Sequence, residues 1–376
     1  MTRLKPPNAL SLFDLVARSW PLDAEIRELL FNGAGTALMA VLDDGRLAFV
    51  SVRDGEHPDS RVRIEVDTGR SSIRPRTRPL PAPVFTDAPV ARVAVRPCRL
   101  GDQGYAFAHV GDARLWRATA RGQTLAVKGG TRVSALAALP GAERLARADG
   151  SRLSILPVVG GDDLAAVTLT HAVSRIAVSP DGGFLGCFGD ERLSIVETAT
   201  LSVRAPVQVG DEVLALAWSP CGRWLVAGGQ DKAVLLIDVP AGTCDRIVDF
   251  PQPVGSLGFN ARAGALIAGG AFRVVGWRLP DLPFGRHSGD PIVTGRPGLT
   301  IVDHVAAHPD RDLCAVAYAN GLIVLCRVGH PDEMLLREGT GVPVNALHWS
   351  DDGAHLAIGD ADGTLSIATF PKSMFK

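Results

Sequence analysis

The sequence predicts an all-β fold, a single β-propeller of eight four-stranded blades, and three observations carry that prediction. A short apolar segment recurs eight times; a turn and a second apolar run follow each copy; a tight connection then leads to a third run. The copies are EIRELLFNG (25–33), PVARVAVRP (89–97), RVSALAALP (132–140), AVSRIAVSP (172–180), EVLALAWSP (212–220), PVGSLGFNA (253–261), IVDHVAAHP (301–309) and PVNALHWSD (343–351). The second residue of each is aliphatic: Ile26, Val90, Val133, Val173, Val213, Val254, Val302 and Val344. Their spacings are 64, 43, 40, 40, 41, 48 and 42 residues, the period of a ring or array built from one repeated unit. Seven blades would follow only if the first or third unit were decorative.

Each element has its own signal. The recurring segments read as inner strands, apolar with little alternation because neighbouring blades cover both faces. The second strands are runs such as WLVAGG (224–229), ALIAGG (265–270), LCAVAY (313–318) and HLAIGD (355–360). Hairpin connections follow at Asp43-Asp44-Gly45, Asn320-Gly321 and Asp362-Gly363, residues that tolerate the positive φ of tight turns. Third strands are RLAFV (46–50), RLWRA (114–118), RLSIV (192–196), AVLLIDV (233–239) and TLSIATF (364–370). RVRIEV (61–66) and LAAVTLT (164–170) suit the more polar outer strand. The last repeat stops after its third strand, so SLFDLVARSW (11–20) is expected to supply the fourth and close the ring. One domain over 1–376 results, with repeats starting near 25, 89, 132, 172, 212, 253, 301 and 343.

Composition narrows function. The 376 residues carry a net charge of −1, which provides no global field for nucleic acid or an anionic membrane. Aromatic residues are 6%, few for base stacking. No run approaches the ~18 apolar residues of a membrane span, and the N-terminus lacks the pattern of a secretory signal. Six cysteines (98, 187, 221, 244, 314, 326) show no CxxC spacing and read as reduced thiols, so a cytoplasmic location is expected. Cys314 and Cys326 flank the Asn320-Gly321 turn and are expected to face each other as small core residues.

The segments SPDGGFLGCFGD (179–190), SPCGRWLVAGGQD (219–231) and SDDGAHLAIGDADGTLSI (350–367) resemble the middle of the WD40 repeat. The closing Trp-Asp pair of that family is nowhere intact, Ile237-Asp238 being nearest, and its Gly-His pair survives only as His171. The hydrogen-bond network built on those residues is expected to be mostly absent. The resemblance implies a non-catalytic scaffold for protein–protein interaction, needing no cofactor.

A propeller of this kind places the first residues of its inner strands at the mouth of the central channel. Arg27, Glu28, Asp303, His304 and Asn345, from blades seven, eight and one, are expected to gather there, with Arg92 and Arg175 on the other side. The alternative is a propeller hydrolase or lactonase with a metal at the mouth, for which Glu28, Asp303 and His304 are the candidate ligands. His304 and His308 cannot share an ion on a strand, where four residues span ~13 Å. No nucleophile elbow, phosphate loop or zinc-helix motif is present.

Two insertions break the period. The first includes a basic, Pro-rich stretch over 67–88 with Arg70, Arg74, Arg76 and Arg78. Its guanidinium groups suit carboxylates, so this arm is expected to leave the mouth rim and contact an acidic partner surface. The second, 280–299, is mixed in charge.

Overall fold

The computed structural model describes residues 10–64, 67, 71–86, 95–108, 114–127, 132–141, 143–158, 161–204, 206–372 and 374–375. Eight antiparallel four-stranded sheets form the blades, each running from inner to outer strand. Blade one is Ile26–Phe31, Ala37–Leu42, Leu47–Ser51 and Val84–Phe85; blade two is Cys98–Leu100, Gly104–Ala108, Leu115–Thr119 and Thr124–Val127. Blade three is Ala135–Ala138, Arg144–Asp149, Arg152–Pro157 and Ala165–Thr168; blade four is Arg175–Val178, Phe184–Gly189, Arg192–Glu197 and Val207–Gln208. Blade five comprises Val213–Trp218, Trp224–Gly229, Val234–Asp238 and Thr243–Ile247, and blade six Leu257–Asn260, Ala265–Ala268, Val274–Arg278 and Pro291–Thr294. Blade seven has Val302–Ala307, Leu313–Tyr318, Ile323–Arg327 and Glu333–Arg337. Blade eight takes Val344–Trp349, His355–Asp360 and Thr364–Thr369 from the last repeat and Ala17–Pro21 from the start of the chain.

Burial explains why the ring closes. Eight apolar clusters form, and each straddles two neighbouring blades. Met39 and Phe49 pack with Tyr105 and Phe107 between blades one and two. Leu266 and Trp277 meet Trp224 and Val226 between blades five and six. Ile26 and Leu29 of blade one share a cluster with Leu365 and Ile367 of blade eight. A lone blade would leave both faces wet, at a cost of about 1.5–3 kcal/mol for each large side chain.

The turn after each inner strand shows what recurs chemically. Six residues beyond the aliphatic column stand Asn32, Ser179, Ser219, Asn260, His308 and Ser350, all buried. Each uses its side chain to satisfy the turn: Phe184 N–H donates to Ser179 Oγ at 2.9 Å, Trp224 N–H to Ser219 Oγ at 2.9 Å and His355 N–H to Ser350 Oγ at 3.0 Å. His308 Nδ1 accepts from the N–H groups of Asp310 and Arg311, both at 3.1 Å. This histidine therefore closes a turn. Blade four keeps a fragment of the WD40 network: His171 Nε2 lies 2.9 Å from Ser194 Oγ, and Asp190 accepts from Ala172 N–H at 2.8 Å.

The N-terminal strand pairs antiparallel with blade eight, Ala17 opposite Ala368 and Pro21 opposite Thr364. It is shorter than the expected 11–20. Ser11 and Asp14 form a reciprocal capping box that coils Leu12–Val16 into one helical turn before the strand begins, as such a box favours. In blade two, residues 89–94 lie outside the described residues. The described inner strand is Cys98–Leu100, with its turn at 101–103, so Pro97 does not end that strand as the repeat alignment predicted.

The first insertion departs most from expectation. Blade one's outer strand is Val84–Phe85, inside the segment read as insertion, and not 61–66. Val62–Ile64 pairs instead with Ser71–Ile73 in a separate hairpin. Nor does the arm leave from the mouth rim: Ser51 pairs with Ala37, beside the turn that ends the inner strand, so the chain exits on the opposite rim. Its own charges hold it down. Buried Asp54 takes ion pairs from Arg18 and Arg76, and Glu56 accepts from Thr77 N–H and Arg78 N–H. Arg61 spends its guanidinium on the carbonyls of Glu56, Arg74 and Leu15, at 2.9, 2.6 and 2.7 Å. Trp20 Nε1 donates to Pro81 O at 2.8 Å. The insertion thus clamps the seam where the N-terminal strand joins the ring.

Candidate functional site

The mouth of the channel is shaped by a backbone irregularity repeated in four blades. The pairing of the inner strand shifts between Ile26 and Glu28, Val213 and Ala215, Val302 and His304, and Val344 and Ala346. One extra residue, Arg27, Leu214, Asp303 or Asn345, is left outside the ladder each time. Such bulges bend a strand and re-aim its side chains. The aliphatic residue before each bulge stays fully buried, so the core is preserved, while Arg27, Glu28, His304 and Asn345 at the bulges line the channel mouth.

Arg27, Glu28, Arg96, Ser256, His304, Asn345 and His348 line one cavity there, with an empty volume of about 700 Å³. Blades one, two, five, six, seven and eight all contribute to its wall. Glu28 faces Arg96 at 3.6 Å. Burial pushes the Glu28 carboxyl above its usual range, against the pull of Arg96 and Arg175. His304 is walled in by protein, and that burial, with His348 beside it, lowers its pKa to about 4. His348 faces channel water, but protein packed around its position and the charges of Arg96 and Arg99 bring it to about 4 as well. Both imidazoles are neutral at pH 7. The cavity therefore presents arginines, one carboxyl of raised pKa and two neutral imidazoles, a lining suited to hydrogen-bonding a polar group.

The residues expected at the mouth separate by role. Arg27 is exposed and sits 3.6 Å from Glu25. Asn345 is structural: its Nδ2 donates to Glu25 Oε1 at 2.8 Å and to Ile26 O at 3.1 Å, tying blade eight to blade one. Arg175 donates to Leu214 O at 2.5 Å, bridging blades four and five. Asp303 is half-buried and burial raises its pKa, but it does not line the cavity. Arg92 lies outside the described residues, as does Arg70 of the arm. Arg74 and Arg78 are exposed, while Arg76 is half-buried on Asp54. Arg96 and His348 were not anticipated. Sequence alignment puts Arg96 in the column of the turn-closing residues, but the turn of blade two lies at 101–103, so Arg96 stands ahead of the described inner strand.

Glu28, Asp303 and His304 do not assemble as ligands: among the described residues, no group of three or more His, Cys, Asp or Glu side chains is placed to share a metal ion. Cys314 and Cys326 are register partners across their hairpin, buried and unbonded as disulfides, with their thiols hydrogen-bonded. No helix among the described residues is long and apolar enough to cross a membrane.

Comparisons with known proteins agree with this geometry. The family described as "Anaphase-promoting complex subunit 4 WD40 domain" matches residues 305–373, blades seven and eight. The family described as "WD domain, G-beta repeat" matches 205–238, which holds three strands of blade five. The target of rapamycin complex subunit wat1 of Schizosaccharomyces pombe is 29% identical over 122 residues, 30% of this chain and 38% of that protein. The match thus spans well under half of that relative's length. A crystal structure of the computationally designed Ika8 protein superposes with a TM-score of 0.68, covering 95% of this chain and 99% of that one, at 15% identity. That likeness is one of fold. Both repeat-family matches fall on blades of an eight-bladed ring, and over those blades the chain is similar to the WD40 repeat.

Proposed function

We propose that this protein is a non-catalytic platform on which other proteins assemble, with the channel-mouth rim as the contact surface. The observation that carries the reading is the bulge repeated in blades one, five, seven and eight. It costs ladder hydrogen bonds at one rim only and turns arginine, carboxyl and imidazole groups toward the axis without disturbing the core. Similarity to a named subunit of the target of rapamycin complex supports a role inside a larger assembly. An acidic partner segment suits the mouth, where the exposed side chains of Arg27 and Arg96 line the cavity beside Glu28. The arm is a weaker contact than its sequence suggested, since Asp54 and Glu56 already occupy Arg76. The free cysteine pair inside blade seven supports a reducing, cytoplasmic setting.

Affinity capture with the tagged full chain tests the reading. A defined set of proteins is expected with the wild type and is depleted with Arg27→Glu/Arg96→Glu, both exposed positions that leave the fold intact. A chain recovered alone, or a set unaffected by the double variant, contradicts it.

A further inference from the structure

Where blade six meets blade seven, the mouth rim carries apolar side chains that nothing among the described residues covers. Leu299 is 99% exposed and Phe272 46% exposed. They stand on rigid backbone. Gly298 N–H donates to Phe272 O at 3.0 Å, Val302 N–H to Ala271 O at 2.8 Å and Gly270 N–H to Val302 O at 2.8 Å. The neighbouring connection joins the same turn, Gln252 N–H donating to Gly270 O at 3.0 Å. Three segments, 249–253, 269–273 and 295–301, thereby form one surface. Pro251 and Pro297 are exposed on it, and proline limits what the loops lose on docking.

Charge tells what the surface fits. Arg273 and Arg296 flank the apolar pair, are exposed, and make no ion pair among the described residues. Glu333 sits beside the patch, its carboxylate taken by the backbone N–H of Arg296 at 2.5 Å. Asp249 is the one exposed carboxylate on the three segments. Scattered apolar residues are normal on a surface; an aromatic and an aliphatic side chain on one rigid rim, between free guanidinium groups, form a contact patch. Seating one apolar side chain there gains roughly ten- to a hundredfold in affinity.

We infer that this patch docks an acidic segment of a partner protein, with one apolar residue seated on Phe272 and Leu299 and flanking carboxylates on Arg273 and Arg296. The inference rests on the platform reading and places one contact of that platform off the axis, between two blades.

Selection of a displayed random-peptide library on the full-length chain tests it. Peptides with Asp or Glu around one large apolar residue are expected to be enriched, and to bind roughly tenfold or more weakly to Phe272→Asp/Leu299→Asp and to Arg273→Glu/Arg296→Glu. Thermal unfolding of both variants should match the wild type, since all four side chains are exposed. Acidic peptides that ignore these variants but are lost with Arg27→Glu/Arg96→Glu would overturn the inference and leave the platform reading standing. Enrichment of no peptide at all would count against both. A dimer in sedimentation that Phe272→Asp/Leu299→Asp abolishes would assign the patch to a second copy of the chain, and so also overturn it.

Discussion

Replacing Asp360 by Ala should destabilise the ring by about 3–5 kcal/mol, the cost of stranding one partner of a buried ion pair. Arg337, ending the outer strand of blade seven, reaches across the seam to blade eight. Its Nη1 and Nη2 donate to the two Asp360 oxygens at 2.7 and 2.8 Å, and its Nη2 and Nε donate to Gly321 O at 3.1 and 3.2 Å. Both side chains are buried. Burial holds the Asp360 carboxyl up while Arg337 draws it down. Taking the carboxylate away leaves the guanidinium two carbonyl contacts and the ring of Phe13, 5.6 Å away. Arg337→Met should cost a similar amount, because Asp360 then loses both of its donors. The double replacement Arg337→Met/Asp360→Leu removes both charges together and should recover most of either loss, since charge pairs of this kind are often matched by apolar side chains. Urea midpoints at constant m-value measure all three. Single-variant costs below about 1 kcal/mol, the ordinary worth of a surface pair, would refute the reasoning. So would a double variant as unstable as the two singles summed.

Three further outcomes follow from the same structure. Acidification from pH 7 to pH 5 should lower the urea midpoint, because His304, His348 and His355 titrate near 4 in the folded chain and near 6.5 when unfolded. The unfolded chain then binds protons that the native chain refuses, so stability falls with pH across that window. The most a buried histidine contributes is about 1.4 kcal/mol per pH unit; His348, open to channel water, contributes less. His304→Gln/His348→Gln should flatten the profile, and an unchanged slope would contradict the assignment. Asp54 acts lower on the scale: burial raises it, but Arg76, the Glu56 N–H and Arg18 together bring it below the usual carboxylate range. Its stabilisation is present above about pH 4 and is lost as pH falls further, so Asp54→Asn should shift the acid-unfolding midpoint of the wild type toward neutral pH. Ser219→Ala strands the N–H of buried Trp224, with an expected loss of about 1–3 kcal/mol by thermal or urea unfolding.

The ring was legible because its cause is periodic. Val133, Val173, Val213 and Val344 each mark a strand whose two faces meet the neighbouring blades, and that demand returns with every unit. What repeats imperfectly was harder to read. Residues 11–16 alternate loosely enough for a strand, and only the Ser11–Asp14 box settles them as a helical turn. The basic arm looked extended because its partners, Asp54 and Glu56, lie about twenty residues upstream and act through folding, beyond the reach of local pattern. Blade two slipped because Pro97, elsewhere a turn signal, sits just before its described inner strand. At the mouth, Arg27 and Glu28 were found by column position, whereas Arg96 reaches the cavity from ahead of its blade's described inner strand and His348 from near the end of its own. The exposure of Leu299 has no local signature at all, since an aliphatic residue after Arg296-Pro297-Gly298 reads the same buried or bare.

The account depends on the chain's two ends meeting in one sheet, and a single engineered cross-link tests that most directly. Ser19 and Ser366 are register partners, 347 residues apart in sequence, with hydroxyl oxygens 2.8 Å apart. Paired strand positions with side chains this close suit disulfide geometry. In Ser19→Cys/Ser366→Cys, mild oxidation should produce an intramolecular disulfide in nearly every molecule, seen as faster migration on a non-reducing gel and reversed by reductant. The two new thiols remaining reduced in the folded protein, or pairing only between chains, would contradict a ring closed by its own N-terminal strand.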